Sequence, residues 1–308
     1  MTIKISFLIA AHNEEKIIGE TLANLSSLPY TNYEVLIGLD GCTDKTEQIV
    51  SSYSKKNKKF RYFSFNIRNG KPPVINALIK ESKGDIIIVN DADWIFTVKS
   101  PESFQKLLSV FNNKKIGGIA ESFPIEWDKE KLENGNIGYK MAAYSTYYWL
   151  EFQKKNFAKK EKDFFYIKSP TLFMTNIFRK KLYKPNTSLG DDFERTRDIL
   201  NEGYEIIMFS DLSVPKMIPV YNSITLRDIF KQKIRTARAR AQLSEKNLSI
   251  GKDYYLKSVS YILKESFKDS LYIGLLMLFW IILTATATFK SKFNRFSTQE
   301  GWKLRAQR

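Results

Sequence analysis

The stretch GDIIIVNDADWI, Gly84 to Ile95, runs four branched apolar residues straight into two carboxylates, Asp91 and Asp93, with one residue between them. Two acids at i and i+2 beyond a buried strand can approach one cation, directly or through water, and the same two acids can close an ordinary turn. The chain holds one histidine, His12, and one cysteine, Cys42. That excludes an intramolecular disulfide, a multi-cysteine zinc site and a histidine-rich site. A cation here must sit among oxygen ligands, which favours Mg²⁺ or Mn²⁺. A second acid, Asp40, ends an apolar run in IGLDGCTDKT. Its carboxylate can accept a hydrogen bond from a nucleobase N–H, or it can belong to a turn that Gly41 tightens and Thr43 or Asp44 caps. NIRNGKPPVINALIK then places Arg68 and Lys71 around Gly70, where a basic side chain can reach a diphosphate or stand solvated. There is no glycine-rich dinucleotide fingerprint and no phosphate loop.

These residues need a scaffold, and the first 120 residues predict one. IKISFLIAA, YEVLIGLD, FRYFSFN and DIIIVND read as strands, separated by helical patterns at EEKIIGETLANLSSL, at about 43–53 and at about 73–80. Strands alternating with single helices predict an α/β fold with a mostly parallel central sheet and helices on both faces, Rossmann-like. Such sheets bind ligands beyond the carboxyl ends of their strands. His12–Glu14, Asp40 and Asp91–Asp93 all fall at such ends. Further on, GYKMAAYSTYYWLEFQKK reads as an aromatic-rich helix, and DDFERTRDILNEGYEIIMF as a helix, a Gly203 stop and a strand.

The C-terminal third is basic, with 18 Lys/Arg against 6 Asp/Glu from Lys216 to Arg308, within a chain of net charge +16. That favours anionic partners. SITLRDIFKQKIRTARARAQL reads as a basic amphipathic helix suited to a membrane interface. SLYIGLLMLFWIILTATATF, Ser270 to Phe289, is 20 residues without a charge, enough for a transmembrane helix. The lysines on its two sides are balanced and set no orientation. The N-terminus lacks a signal peptide's layout. The expected arrangement is a catalytic domain over 1–215 (donor half about 1–120, acceptor half about 121–215), interface helices over 216–268, and a transmembrane helix with a basic tail over 269–308. The bulk is expected on the cytoplasmic side of the cell membrane.

Taken in order, FLIAAHNEE, LDGCTDKT, RNGKPPVINA, GDIIIVNDAD, GDDFERTRDILNEGYEI and QKIRTARA resemble the family 2 glycosyltransferases, over about residues 3–240. The resemblance implies the nucleotide-diphospho-sugar transferase (GT-A) fold and a UDP- or GDP-linked sugar donor. It implies that the Ala11–Glu14 turn, with Asn13 and Glu14, holds the nucleoside together with Asp40, and that Lys71 and Arg68 face the nucleotide. Asp91 would contact ribose or metal, and Asp93 would be the principal metal ligand. Asp192 matches the catalytic base, with Asp191 standing where many members carry Glu. Gln232 and Arg235 match a Gln-x-x-Arg-Trp motif near the acceptor and diphosphate. The tryptophan of that motif is Thr236 here, and the chain has a single membrane segment. Both point to one sugar per acceptor rather than polymer synthesis, with a lipid-linked glycan or glycolipid as acceptor. Trp94, Trp127 and Trp149 are candidate acceptor contacts, since aromatic rings stack on sugar faces. The alternatives are a polyprenyl-phosphate sugar synthase, whose acceptor is already anionic and needs no base, and a non-enzymatic basic binder of membrane or nucleic acid. The binder would leave three acidic stations unexplained, and no nucleic-acid partner is expected.

Overall fold

Every residue of Ile5–Ala11 and Tyr33–Asp40 is buried. Such continuous runs belong to strands covered on both faces, not to an alternating half-solvated sheet. The structure is a computed structural model that describes residues 3–120, 127–169, 173–185, 188–211, 213–219, 223–246 and 250–293. In chain order its elements are β1 (Ile5–Ala11), α1 (Ile18–Ser26), β2 (Tyr33–Asp40), α2 (Thr46–Lys56), β3 (Phe60–Phe65), α3 (Lys71–Glu81), β4 (Ile86–Val89), β5 (Trp94–Thr97), α4 (Pro101–Ser109), β6 (Ile116–Ala120), α5 (Lys129–Asn134), α6 (Ile137–Phe157), β7 (Ala158–Glu161), β8 (Phe164–Ile167), β9 (Thr175–Arg179), α7 (Asp191–Asn201), β10 (Glu205–Phe209), β11 (Lys216–Pro219), α8 (Leu226–Glu245), α9 (Lys252–Asp269) and α10 (Leu271–Ser291).

Two compact units emerge. The first comprises residues 1–123, 160–187 and 191–220 and carries the sheet. Its strand order is β3-β2-β1-β4-β9-β6-β10-β8-β7, with a small β11-β5 ribbon beside it. The run β3-β2-β1-β4 is parallel, where single helices alternate with strands. β9 then enters antiparallel between β4 and β6, and β8 lies antiparallel on β10. β9 returns to the sheet after α5, α6, β7 and β8, rather than after a single crossover helix of the kind that joins β1 to β4. The register sets Ala11 beside Leu39 and Leu8 beside Val89, so the ends of β1, β2 and β4 lie side by side. Beneath them Phe7, Phe96 and Phe104 pack edge to face at 5.3 and 6.0 Å.

The second unit comprises 124–159, 188–190 and 221–308 and is helical. The units thus cut across the linear division at residue 215, since α6 packs with the C-terminal helices. Its core joins Tyr139, Met141 and Tyr148 of α6 to Ile229, Ile262, Met277 and Trp280 of α8, α9 and α10. The apolar side chains of α8, expected to face a membrane interface, include Ile229 and Ile234, which are buried within the protein. Among the described residues α10 is the one helix long and apolar enough to cross a membrane.

Candidate active site

The turns after β1 and β2 are stitched into one ledge. Asn13 adopts a left-handed φ of 54°. Its side-chain oxygen accepts the Thr43 N–H at 2.8 Å, and its amide donates to Thr43 Oγ1 at 3.2 Å. The Glu14 N–H donates to Thr46 Oγ1 at 2.8 Å. His12 Nδ1 lies 2.6 Å from the Asp40 carbonyl oxygen, a structural hydrogen bond within the same ledge. Burial pushes the Cys42 thiol up, which leaves it a protonated, weakly reactive group beside the Asp40 turn.

The Asp40 side chain works on the next loop. It is fully buried, and its two oxygens accept the N–H groups of Asn69 at 2.6 Å and Gly70 at 2.8 Å. Gly70 has φ +91°, and a Cβ on Gly41, at φ +63°, would come within 2.9 Å of the Arg68 nitrogen. Only glycine allows both the backbone angle and this close approach without strain. Asp40 therefore shapes the 67–70 loop that hands the chain to Lys71, the first residue of α3.

Lys71 reaches back across the site. Its Nζ sits 2.7 Å from Asp91 Oδ1, with the two side chains 17% and 28% exposed. The Asp91–Trp94 segment is a tight turn joining β4 to β5, closed by Trp94 N–H on the Asp91 carbonyl at 3.1 Å. The Asn90 amide donates to the carbonyls of Asp91 (2.8 Å) and Trp94 (2.9 Å), and Thr21 Oγ1 donates to the Ala92 carbonyl at 2.7 Å. The two acids are thus carried on a clamped turn at the end of β4. Asp93 is 1% exposed, so of the two it is Asp91 that faces solvent. Trp94 is half-buried directly after them.

The second acidic pair opens α7. Asp191 is buried and ion-paired to Arg195 at 2.7 Å, one helical turn on. Arg195 is 1% exposed, donates to the Thr175 carbonyl (2.7 Å) and to Asn176 Oδ1 (3.1 Å), and lies over the Phe178 ring at 5.0 Å. Asp192 is half-buried, and its Oδ1 accepts the Phe193 N–H at 2.9 Å. Burial and the neighbouring Asp191 charge push the Asp192 carboxyl up to about 6, against the opposing pull of Lys71 and Arg195. Burial alone would depress the Lys71 ammonium, but Asp91, Asp191 and Asp192 together hold it above the usual lysine range. Lys71 therefore stands in the electrostatic field of both acidic pairs, bonded to the one that follows β4 and set by the loop that Asp40 anchors.

The donor set suits a hard divalent cation in one respect. Asp91 and Asp93 offer carboxylate oxygens, and Mg²⁺-type ions are commonly held by one or two carboxylates plus substrate phosphates rather than by an all-protein cage. Among the described residues no cluster of three or more His, Cys, Asp or Glu forms such a cage.

The remaining sequence-chosen residues belong to the second unit. Gln232 is exposed on α8 and Arg235 follows three residues on, half-buried on the same helix face. Thr236, in the place of the motif's aromatic, hydrogen-bonds the Gln232 carbonyl of its own helix at 3.0 Å. Trp127 packs edge-on against Tyr139 at 5.1 Å, and Trp149 packs against the helical core, both partly buried. Arg195, which holds Asp191 in place, is the residue that sequence reading passed over. The Asp191–Arg195 spacing of four within a helical pattern was its signal.

The family model described as glycosyl transferase family 2 matches residues 6–182, more than half of the chain. Over 115 residues the chain is 31% identical to a poly-beta-1,6-N-acetyl-D-glucosamine synthase of Staphylococcus epidermidis, a match covering 37% of this chain and 27% of the relative. Over 154 residues it is 30% identical to a beta-monoglucosyldiacylglycerol synthase of Nostoc sp., covering 49% of this chain and 32% of the relative. The matched region thus spans about a third or less of these relatives' own length. Among solved structures, a mannosyltransferase from Pyrobaculum calidifontis in complex with GDP-Man and Mn²⁺ superposes with a TM-score of 0.56 at 14% identity, covering 98% of this chain and 79% of that one. At that identity the likeness speaks for the fold alone.

Proposed function

The chain belongs to glycosyl transferase family 2, and from that premise we propose that it moves one sugar from a UDP- or GDP-linked donor to a hydroxyl of a lipid-linked glycan or glycolipid, with inversion at the anomeric carbon. The observation that carries this reading is Lys71, salt-bridged to Asp91 and held in the field of Asp191 and Asp192. A cation in the field of a diphosphate-side acid and a base-side acid supports placing the meeting of donor and acceptor there.

The acceptor hydroxyl must lose a proton as its oxygen attacks the anomeric carbon, and Asp192 takes it. At about 6 its carboxyl is ionised at neutral pH yet more basic than an ordinary aspartate, the poise a general base needs. The bond to the diphosphate breaks on the opposite face of the sugar. Lys71 and Arg68 offset charge on the departing nucleotide, and the ledge of Ala11, Asn13 and Glu14 with the Asp40-anchored loop holds its nucleoside. When bound, a divalent cation at Asp91 and Asp93 would neutralise the leaving diphosphate. Gln232 and Arg235 are assigned to the donor's diphosphate where it meets the acceptor, and Trp94, Trp127 and Trp149 are candidate acceptor contacts. Thr236 in the aromatic's place supports a single transfer. A relative named for a glucosyl-diacylglycerol product supports a lipid acceptor. The catalytic unit is assigned to the cytoplasmic side of the membrane.

Two measurements test this. A thermal-shift screen of nucleotide sugars with and without Mn²⁺ should raise Tm for one donor, and only with the metal. A transfer assay should then fail for both Asp93→Asn and Asp192→Asn. Transfer that persists in both sinks the proposal. Transfer that survives Asp192→Asn alone, giving an acid-labile sugar-lipid, marks a polyprenyl-phosphate acceptor instead.

A further inference from the structure

The apolar helix α10 has two unlike faces. Leu276, Met277, Trp280 and Ala287 are buried within the second unit. Leu271, Leu275, Leu278, Ile282 and Phe289 are 39–69% exposed, at successive spacings of four, three, four and seven residues. Those spacings draw one straight stripe down the full length of a helix with 3.6 residues per turn.

A helix that crosses a bilayer must meet hydrocarbon, or apolar protein, at every depth. α10 does not. Lys140 of α6 lies 5.9 Å from the centre of the Tyr272 ring near its start, and Lys233 of α8 lies 4.6 Å from the Trp280 ring at its middle. Burial lowers the Lys233 ammonium to about 8, which leaves it charged at neutral pH. Beside α10 runs α9, packed against it through Ile262 and through Phe267 on Gly274. α9 carries Lys257, Lys264 and Lys268 exposed along its length. Standing α10 upright would draw these ammonium groups into the hydrocarbon, where charge is costly and confined to paired or water-lined positions.

Laying the helix flat removes the conflict. The stripe enters the acyl region, while exposed Lys264, Lys268, Lys290 and Lys292 remain at headgroup level on flexible stems. Leu256 of α9, 71% exposed, adds to the apolar surface. We infer that α10 does not cross the bilayer but lies in its plane, with the Leu271–Leu275–Leu278–Ile282–Phe289 face set into one leaflet containing anionic lipid. The occupant is a lipid surface rather than a second copy of the chain, because the exposed lysines of α9 and of the end of α10 would repel their own counterparts and attract phosphate headgroups. The inference rests on the second unit alone and is independent of the transfer reaction proposed above.

The test places one cysteine on each side of α10 in the full chain. Lys268→Cys and Lys292→Cys, each with Cys42→Ser, are expressed in membranes and treated as sealed vesicles with a membrane-impermeant maleimide. Both positions should label from the same side, and labelling from opposite sides overturns the inference. Flotation of the purified chain gives a second arm that does not read activity. Co-flotation with vesicles one-third phosphatidylglycerol should exceed that with pure phosphatidylcholine and fall at least tenfold in Leu275→Glu/Ile282→Glu, with circular dichroism unchanged. Unchanged flotation of that variant overturns it. So does a wild type that fails to float but forms a dimer which the same variant dissolves, since that would make the stripe a contact between copies.

Discussion

The candidate site carries two acidic pairs, and in each of them a cation has claimed one member. On the β4–β5 turn, Asp91 is bound to Lys71 and Asp93 is enclosed beside it. At the start of α7, Asp191 is bound to Arg195 and Asp192 is left half-buried with its carboxyl at about 6. The cations differ in kind. Lys71 sits part-exposed at the mouth of the site, whereas Arg195 is embedded under α7 with backbone and ring partners. Spacing makes an acid a candidate, and the neighbouring cation decides which task the acid can perform. A buried bidentate-capable arginine fixes its acid in place. A single lysine charge can be shared with whatever anion arrives.

The sharpest way to break the comparison is to remove the free member of the helix pair. Asp192→Asn should reduce kcat by about 10²–10⁴-fold, the range general-base catalysis supplies, with KM for the donor little changed. The wild-type kcat/KM should fall on the acid side with an apparent pKa of about 6, because Asp192 must be ionised to accept a proton. A pH-independent profile between 5 and 8 would remove Asp192 from the reaction.

Next in size is the buried cation. Arg195→Met removes the ion-pair partner of Asp191, a carboxylate that is 5% exposed, and breaking such a buried pair costs about 3–5 kcal/mol. Urea unfolding should show a midpoint loss of that order at pH 7. Asp191→Asn/Arg195→Met should recover much of it, since removing both charges removes the desolvation cost. A single variant as stable as wild type would mean that Arg195 does not hold the pair.

These residues show how far the sequence carried. The alternating apolar runs placed β1 to β4 and their acids at one sheet end, because buried strands must be continuous in apolar residues and loops must carry the polar ones. The turn reading of NDAD holds, since Asn90 and Thr21 clamp the turn that bears the acids; the site reading is carried into the proposal. The antiparallel entry of β9 between β4 and β6 was not legible, because strand neighbours are set by pairing over long sequence distances. Nor was the engagement of Asp40 with the Asn69 and Gly70 amides, a contact 29 and 30 residues away. For α10, length and composition reported only the apolar run. The lysines packed on it come from α6 and α8, far away in sequence.

Smaller still is the effect expected at the lysine. Lys71→Met removes a charge that pulls the Asp192 carboxyl down. The acid limb of kcat/KM should therefore move to higher pH, while Lys71→Arg should keep it near its place with weaker activity. A limb that stays put in Lys71→Met would separate the two acidic pairs electrostatically and undo the shared field on which the proposed site rests.

The finest test asks whether the poised base costs stability. A carboxyl whose folded value is raised from 3.8 to about 6 favours folding in its protonated form. That contribution is fully present below about pH 4 and is lost as pH rises through 6. At pH 7 the wild type has lost it, and Asp192→Asn mimics the protonated acid while keeping an oxygen to accept the Phe193 N–H. The shift would amount to about 3 kcal/mol if Asp192 were enclosed. Its solvent contact and the helix dipole, which favours charge at this end of α7, reduce the expectation to about 1 kcal/mol. Asp192→Asn should therefore melt higher than wild type by about 2–4 °C at pH 7 and converge with it near pH 4. A variant less stable than wild type at pH 7 would mean that the carboxylate is held there for the fold. The two acidic pairs would then differ in position only, not in task.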